Sequence, residues 1–307
     1  MLKATALRAG VVGAGRMGRI RALAARSLGV EILAICDPDM DRARALAADC
    51  AIPVAVADED DLPWDDLDML FLCTPPSVRS TGARAIRSGV HLLVEKPLAT
   101  TAADAEPLLA ALEACPVVTA VGYMNRYREG VLALRARLRQ ERVLGAVAHW
   151  AGGRYRVPWW ADPGQSGGPL NEQATHLVDL LRFLLGEVEA VRVLVPGGGS
   201  DAESAAIALR FTDDRLATIL YSCEAEEKLI GLRVFTPHAE HSLLTWEFLP
   251  GPDPAPCPDR NAVFLDETRA FVEAIQGRGD GVRSDLRDAL QTQRVMDSIR
   301  LRAAAGI

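Results

Sequence analysis

The sequence predicts two domains: an α/β domain built on a parallel sheet, followed by an α+β domain with an antiparallel sheet. A length of 307 residues is comfortable for two domains. Short apolar runs alternate with helical stretches as far as residue 122, which is typical of βαβ units. Beyond about residue 145 the runs are longer and alternate polar with apolar residues, which favours an antiparallel sheet. We therefore predict domains at 1–122 and 123–307.

The individual elements follow from the spacing of apolar residues and from the turn residues between them. In the first domain we predict strands at 9–12, 31–36, 69–73, 91–94 and 117–121, with helices at 17–27, 41–49, 77–88 and 101–113. In the second domain we predict a helix at 171–185, a hairpin of strands 205–211 and 216–223, strands at 229–235 and 241–248, and closing helices at 261–276 and 285–303.

Composition excludes several classes of partner. A net charge of −7 does not attract nucleic acid or an anionic membrane. An arginine-rich stretch at 126–142 is predicted to be an amphipathic helix whose arginines face solvent, with Val131, Leu134 and Leu138 on the apolar side. The six cysteines lack zinc-site or redox-pair spacing and favour a reducing compartment. With neither a signal peptide nor a membrane span predicted, we expect a cytoplasmic protein.

The sequence GAGRMG lies directly between the first predicted strand and the first predicted helix. Its glycines allow a tight turn and close approach of the main chain to a pyrophosphate at the helix amino terminus. Asp37 ends the next strand, where a carboxylate can hold the ribose hydroxyls of NAD and repel the extra phosphate of NADP. Arg42 lies close by and leaves NADP possible, and a plain turn role for Asp37 before Pro38 stays open. The cofactor residues predicted here are Gly13, Gly15, Arg16, Met17, Gly18 and Asp37.

Lys96 stands out because the chain has 31 arginines and only three lysines. It follows a predicted strand within Glu95-Lys96-Pro97, at the sheet edge where ligands bind in open parallel sheets. A lysine is a compact charge that can stabilise an alkoxide or pass a proton. The alternative is a surface lysine paired with Glu95. Thr74 and Pro75 follow another strand at the same edge and are also predicted to contact the cofactor, with a plain loop role equally open.

A second group of polar residues lies on the helix that Gly167-Gly168-Pro169 opens. Glu172, His176 and Asp179 are spaced i, i+4 and i+7, which places them on one face. His176 is a good general base for a hydroxyl proton, although a histidine in such a helix is often a hydrogen-bonded core residue. No third ligand accompanies Glu172 and His176, so we predict no metal site.

The chain resembles the glucose–fructose oxidoreductase and inositol dehydrogenase family. The matching segments, which occur in the family's order, are GAGRMG, TPP, VEKPLA, GYMNRY and SGGPLNEQATHLVDLLRFLLGE. The resemblance implies a Rossmann domain, an open-faced sheet domain and hydride exchange between a nicotinamide and a sugar, cyclitol or similar alcohol. It assigns substrate and proton handling to Lys96 and acid–base catalysis to His176. It also places Tyr123, Asn125 and Arg126 in the segment that lines the domain junction.

The resemblance also leaves the substrate open. The family often has aspartate and glycine where this chain has Glu172 and Ala174. From the resemblance and the residue pattern we expect catalysis by Lys96, His176 and Glu172, and cofactor contacts from Glu95, Lys96 and Asn125 as well as the glycine loop. The predicted substrate residues are Lys96, Tyr123, Arg126, Arg154, Trp159, Trp160, Glu172 and His176, with a packing role equally open for the two tryptophans.

Two alternatives remain: a non-catalytic NAD-responsive regulator, and a reductase of an unsaturated or imine substrate. A sheet with one uncovered face also predicts a partner, so we expect a homodimer or homotetramer formed through the antiparallel sheet.

Overall fold

The computed structural model describes residues 6–196, 202–251 and 261–305. The chain forms two compact units. Unit 1 comprises Met1–Leu98, Ala103–Gly122 and Asn261–Arg287, and unit 2 comprises Ala99–Ala102, Tyr123–Arg260 and Asp288–Ile307. The units therefore differ from the continuous domains predicted at 1–122 and 123–307, because Asn261–Arg287 belongs to unit 1 and Ala99–Ala102 belongs to unit 2.

Unit 1 contains a six-stranded sheet in the order β3-β2-β1-β4-β5-β6, and every strand pair in it is parallel. The strands are β1 Arg8–Val12, β2 Glu31–Cys36, β3 Val54–Val56, β4 Met69–Leu72, β5 His91–Val94 and β6 Thr119–Val121. The helices of this unit are α1 Arg16–Ser27, α2 Met40–Asp49, α3 Ser80–Arg87, α4 Glu106–Ala114 and, later in the chain, Ala262–Ile275. This is the predicted Rossmann arrangement, with the carboxyl ends of the strands on one edge.

Burial explains both the sheet and the late helix of unit 1. All four residues of β4 are fully buried, as expected for a parallel strand covered on both faces. Phe71 on this strand packs edge-to-face on Phe271 of the helix Ala262–Ile275, with ring centroids 6.3 Å apart. The short strand β3 was not predicted, because its apolar run is only three residues long, and these residues are partly or fully exposed.

Unit 2 contains a seven-stranded sheet in the order β13-β12-β11-β7-β10-β9-β8. Its strands are β7 Gly145–Ala151, β8 Val188–Leu194, β9 Ser204–Phe211, β10 Leu216–Ser222, β11 Leu229–Phe235, β12 Glu240–Leu244 and β13 Leu249–Pro250. The helices are α5 Glu129–Leu138, α6 Pro163–Ser166 and α7 Thr175–Leu185. The long helix Leu286–Ala305 is α9, and it belongs to unit 2 from Asp288 onward. The helix Ala262–Ile275 of unit 1 is α8.

The predicted antiparallel sheet needs one correction. β7 runs parallel to β10, so the sheet is mixed, while the other pairs are antiparallel. The hairpin of β9 and β10 is confirmed, and Asp214 in its turn has a φ of 64°. The predicted strand 241–248 is wrong beyond Leu244, because the chain turns at Thr245 and Phe248, which have φ angles of 67° and 50°.

Two predicted helices also begin differently. The helix expected at 171–185 consists of a π-helical turn at Leu170–Ala174 followed by α7. The stretch predicted as one amphipathic helix begins with a 3-10 turn at Met124–Tyr127 and continues as α5. Its apolar side is buried as predicted, but Arg128 is also buried and donates from Nε to Asn125 Oδ1 at 2.8 Å, so not every arginine here faces solvent.

Other observations concern the described residues only. Within residues 6–196, 202–251 and 261–305, the structure contains no helix with both the length and the apolar character needed to cross a membrane. Among the same residues, no group of three or more histidine, cysteine, aspartate or glutamate side chains is arranged to hold a metal ion.

Candidate active site

The glycine loop joins β1 to α1, and two of its glycines are required by the chain itself. Gly13 has a φ of 99°, and a Cβ there would lie 2.6 Å from Cys73 O. A Cβ on Gly18 would lie 1.9 Å from Gly13 O. Larger residues at either position would therefore force the loop apart.

Gly15 is different, and it tests whether the loop fits a dinucleotide. Its φ of −77° suits any residue, and a Cβ there would meet no atom of the described residues within 4 Å. Within the part of the chain that the structure describes, neither strain nor crowding explains a glycine here. Gly15 is also exposed and directly precedes α1, so its bare main chain and the helix amino terminus present a cradle suited to a pyrophosphate. Arg16 is exposed beside it and Met17 is half-buried.

Asp37 follows β2 and lies against this loop. Its carboxylate accepts a hydrogen bond from Ala14 N at 2.8 Å and another from Asp39 N at 2.9 Å. Arg42 Nη2 donates to the same carboxylate at 3.2 Å. Asp37 therefore braces the glycine loop and also makes the turn contact considered as the alternative role. The guanidinium of Arg42 lies close to Asp37, as its position in the sequence predicted. A cation at this place leaves NADP possible.

The Lys96 loop follows β5. Glu95 is buried, and its carboxylate accepts from Arg21 Nε at 2.7 Å, whereas Lys96 is half-exposed. The two neighbours thus face different surroundings, as the alternation along an extended chain requires. Because its carboxylate is bound to Arg21, Glu95 has a structural role, and its predicted contact with the cofactor stays a prediction.

Arg21 has a second carboxylate partner. It is fully buried, and Nη2 donates to Glu267 Oε2 on α8 at 2.5 Å. Burial alone would lower the pKa of Arg21, but the carboxylates of Glu95 and Glu267 outweigh it and raise the pKa above its ordinary value. This buried ion-pair network anchors the residue that precedes Lys96.

Thr74 and Pro75 lie in the loop after β4. The Thr74 hydroxyl donates to Val78 O at 3.1 Å, which closes the loop on itself. Both residues lie at the carboxyl edge of the parallel sheet, the edge at which Lys96 follows β5. Their contact with a cofactor stays a prediction.

In unit 2, two glycines and a π-helical turn lead into α7. Gly167 and Gly168 have φ angles of 75° and 87°, which favour glycine. The π-helical turn Leu170–Ala174 follows and includes the buried Glu172. Such turns are rare and occur often at functional sites. We placed Glu172 and His176 on one face by assuming regular α-helical spacing. The wider π-helical turn at Glu172 departs from that spacing.

His176 lies in the first turn of α7 and is 3% exposed. Its ring stacks on Trp150 of β7, with centroids 5.3 Å apart and planes 3° apart. Trp246 packs edge-on against His176 with centroids 5.5 Å apart and against Trp150 at 5.3 Å. The two indoles fix the plane of the imidazole. The directions in which its two nitrogens can donate or accept a hydrogen bond are therefore restricted to that plane.

A cation borders this aromatic group. Lys228 Nζ lies 5.0 Å from the ring centroid of Trp246 and 5.9 Å from that of Tyr155. Tyr155 in turn lies 5.5 Å from Trp160, which is 3% exposed and belongs to the core of unit 2. Trp160 therefore packs in the core, and its predicted contact with substrate stays a prediction.

Other predicted substrate residues have partners within unit 2. Trp159 is partly buried and packs against the core. Arg154 is exposed and forms an ion pair with Glu203. The Tyr123 hydroxyl shares a hydrogen bond with Thr175 Oγ1 at 2.9 Å, and burial raises the pKa of Tyr123 above its ordinary value. Substrate contact by these residues stays a prediction.

Arg126 and Asp179 form a buried ion pair. Arg126 donates from Nε and Nη2 to the two carboxylate oxygens of Asp179, at 2.9 and 2.6 Å. The Asp179 carboxylate raises the pKa of Arg126 against the opposing effect of burial. Asp179 also accepts from Thr292 Oγ1 at 3.1 Å, so these contacts join α7 to the segment before α5 and to α9. Asn125 is buried beside them, with its Oδ1 bound to Arg128.

Sequence reasoning missed Trp150, Trp246 and Lys228 at this site. Each comes from a strand or turn distant in sequence from α7, so no local spacing connects them with His176. The scarcity of lysine, which drew attention to Lys96, was the one signal that applied equally to Lys228.

Curated relatives of this chain include sugar and cyclitol dehydrogenases. Inositol 2-dehydrogenase 1 of Saccharopolyspora erythraea is 32% identical over 221 residues, which cover 69% of this chain and 63% of that protein. D-Apiose dehydrogenase of Paraburkholderia graminis is 31% identical over 189 residues, which cover 58% of this chain and 49% of that protein. The chain thus matches between 49% and 63% of the length of these two relatives.

Solved structures with the same fold cover the whole chain. The WlbA dehydrogenase from Bordetella pertussis, in complex with NADH and UDP-GlcNAcA, aligns with a TM-score of 0.85 at 20% identity, covering 100% of this chain and 98% of that one. Levoglucosan dehydrogenase in complex with NADH and L-sorbose aligns with a TM-score of 0.86 at 18% identity, covering 99% and 98%. At these identities the likeness establishes the fold.

Family models match both parts of the chain. Residues 7–123 match the oxidoreductase family with an NAD-binding Rossmann fold. Residues 131–238 match the GFO/IDH/MocA C-terminal domain. Both matches agree with the glycine loop, the lysine after β5 and the histidine helix, and this chain belongs to the GFO/IDH/MocA family of oxidoreductases.

Proposed function

We propose that this protein is an NAD-dependent oxidoreductase that interconverts an alcohol and a ketone on a sugar, cyclitol or related polyol. The observation that carries the proposal is Gly15, because no contact with the described residues requires a glycine at this position. The sugar and cyclitol dehydrogenases among the relatives support the substrate class.

The glycine loop and the amino terminus of α1 would hold the pyrophosphate, and Asp37 would receive the ribose hydroxyls. When bound, the nicotinamide supplies the acceptor or donor of a hydride. A carboxylate beside the loop disfavours an extra ribose phosphate, which supports NAD over NADP, while the Arg42 guanidinium reduces that discrimination.

We assign separate roles to Lys96 and His176 in this reaction. During oxidation the imidazole of His176 takes the hydroxyl proton, and the ammonium of Lys96 stabilises the negative charge that develops on oxygen. The carbon–hydrogen bond breaks as the hydride leaves, and the carbonyl forms. Reduction reverses each transfer. Glu172 lies in the π-helical turn that precedes α7, the helix of His176, and we propose that it assists proton transfer.

The test measures NADH absorbance with a panel of sugars, cyclitols and sugar acids, run with NAD and with NADP. Lys96→Ala and His176→Ala are each expected to lower kcat by about 100-fold or more, while NADH binding measured by fluorescence is retained. Robust turnover in both variants contradicts the roles proposed here. NADH binding by the wild type without turnover of any alcohol favours the regulatory alternative, and oxidation of NADH by unsaturated or imine compounds alone favours the reductase alternative.

We also infer that the protein forms a homodimer or homotetramer through the exposed face of the unit 2 sheet. Strand register places two rows of mostly small or apolar residues across this face. His149 and Thr218 are polar members of the rows, and arginines lie at the ends of the second row. The first row is Leu194, Ala206, Leu220, His149 and Gly231, and the second is Arg192, Ala208, Thr218, Val147 and Arg233. Leu194 is 74% exposed and Leu220 is 62% exposed, and an apolar surface of this kind favours association.

The oligomer is tested by light scattering at micromolar protein concentration. Leu220→Lys is expected to shift the mass toward the monomer, because it places a charge at the centre of the apolar rows. Leu301→Lys is the matched control, since Leu301 is equally accessible but lies on α9. A monomeric wild type contradicts the inference.

A reducing, cytoplasmic location is proposed as well. Cys36, Cys50, Cys73, Cys115 and Cys223 are free thiols. Burial raises the pKa of Cys36 to about 11, with Glu59 adding to the effect. Unpaired cysteines of this kind are usual in reducing compartments.

A further inference from the structure

We propose that Arg79 is a positioning residue that sets the geometry of the Lys96 loop by binding its main chain on both sides of the lysine. The proposal rests on the role given to Lys96 under the proposed function. It concerns unit 1 alone, and Arg79 is assigned no contact with substrate or cofactor.

Arg79 donates three hydrogen bonds to main-chain oxygens of the Lys96 loop. Nε donates to Leu98 O at 2.5 Å, and Nη2 donates to Pro97 O at 2.9 Å and to Glu95 O at 3.4 Å. These carbonyls flank Lys96 on its amino and carboxyl sides. A single planar guanidinium thus fixes the main chain from which the Lys96 side chain departs.

The other edge of the same guanidinium binds the loop after β4. Nη1 donates to Pro75 O at 2.9 Å, to Val78 O at 2.9 Å and to Thr74 Oγ1 at 3.4 Å. Arg79 therefore links the Lys96 loop to the Thr74–Pro75 loop, which is the other predicted cofactor-binding loop on this sheet edge.

The location of Arg79 is costly for a residue that only fills space. It is 4% exposed, and it directly precedes Ser80 at the amino terminus of α3. Burial penalises a cation, and the positive end of a helix dipole repels one. The ring of carbonyl dipoles offsets both effects, and arginine suits it because its five N–H donors spread over two loops.

Rigid placement of Lys96 matters for rate because catalysis depends on sub-ångström alignment. A displacement of about 1 Å by a remote change can cost about 100-fold in rate. Loss of the guanidinium leaves the flanking carbonyls without these donors, so we expect the loop to shift while the sheet beneath it persists.

The first arm of the test is kinetic. Arg79→Met is expected to lower kcat by about 100-fold, with a much smaller change in the KM for the alcohol. Arg79→Lys, which keeps the charge but cannot reach both loops, is expected to recover part of kcat. Arg87→Met is the matched control, because Arg87 is exposed at the other end of α3 and its loss leaves the Lys96 loop intact.

The second arm needs no turnover. Trace acetylation with acetic anhydride and peptide mass spectrometry report the reactivity of Lys96 relative to Lys228, and the chain has only three lysines to separate. Arg79→Met is expected to change this ratio by about twofold or more, since amine reactivity follows the surroundings of the nitrogen. Arg87→Met is expected to leave it unchanged.

Three outcomes decide the proposal. A folded Arg79→Met with wild-type kcat and a wild-type labelling ratio overturns it. Where Arg79→Met fails to fold, kcat and the labelling ratio are measured for Arg79→Lys instead. Wild-type values of both quantities in Arg79→Lys then overturn the proposal. If the wild type turns over no alcohol, the proposed function fails, and the labelling ratio alone then supports or overturns the positioning role.

Discussion

Lys96 and His176 are held by groups of different kinds. The loop of Lys96 is fixed through its main chain, by hydrogen bonds from the buried guanidinium of Arg79. The ring of His176 is fixed through its faces and edges, by Trp150 and Trp246. The site at Lys96, which we call the polar site, depends on hydrogen-bond donors. The site at His176, which we call the aromatic site, depends on the packing of aromatic rings.

This difference determines which substitutions each site tolerates. Main-chain carbonyls are present whatever side chains the loop carries, so the polar site depends on the few arginines that bind it. Ring stacking depends on the identity of side chains on distant strands, so the aromatic site depends on several positions at once. The predictions below test the contrast.

The largest effect is expected at Arg21, beneath the polar site. Arg21→Met leaves Glu95 and Glu267 as buried carboxylates without this cation, which is expected to lower the free energy of unfolding by about 3–5 kcal/mol. Urea unfolding measures it. Arg19→Met on the same helix is the control, because its ion pair with Asp49 is exposed and contributes at most about 1 kcal/mol. Equal losses of unfolding free energy in the two variants would contradict the role of the buried ion-pair network in anchoring the loop.

At the aromatic site, Trp150→Ala is expected to lower the free energy of unfolding by about 3 kcal/mol, because it opens a cavity beneath His176. It is also expected to lower kcat, since the imidazole loses the surface that sets its plane. Trp150→Phe retains a stacking face and is expected to keep most of both quantities. If Trp150→Ala and Trp150→Phe have the same kcat, the stack does not orient His176.

The cofactor side is tested at Gly15. Gly15→Ala is expected to raise the Kd of NADH by about tenfold or more at unchanged stability, because its Cβ would meet no atom of residues 6–196, 202–251 and 261–305 within 4 Å. Gly18→Ala is the matched variant and is expected to lose stability as well, since its Cβ would lie 1.9 Å from Gly13 O. Titration of NADH fluorescence and urea unfolding separate the two effects. An unchanged Kd for Gly15→Ala argues against a dinucleotide at this loop.

The same contrast explains how far the sequence could predict the site. The positions of the glycine loop, Asp37 and Lys96 were predictable, because each is defined by a few neighbouring residues at the end of a strand. Their contacts with cofactor and substrate stay predictions. The hairpin turn at Asp214 was predictable for the same reason. These features depend on local backbone geometry, which short motifs encode.

What could not be predicted depends on long-range contacts. Arg79 lies within a stretch predicted as helix 77–88, where a charged side chain is expected at the surface, yet it precedes the helix and is buried against a loop some twenty residues away. Trp150 and Trp246 reach His176 only because β7 and the turn after β12 lie against α7. The parallel pairing of β7 with β10 likewise depends on topology, which residue alternation does not encode.

The smallest expected effect concerns acid sensitivity beneath the polar site. His91 begins β5, the strand that leads to Lys96, and its Nδ1 accepts from Val118 N at 2.9 Å. Burial lowers the pKa of His91 below its ordinary value of 6.5. The neutral ring therefore contributes stability that is fully present above pH 6.5 and is lost as the pH falls through the folded-state pKa.

His91→Asn keeps an acceptor near Nδ1 but does not titrate. The variant is expected to match the wild type at pH 7.5 and to lose about 1 kcal/mol less than the wild type on acidification to pH 5. Urea midpoints at the two pH values measure the difference. Parallel losses in both proteins would mean that protonation of His91 does not weaken the β5–β6 pairing, and that the acid response of this unit originates elsewhere.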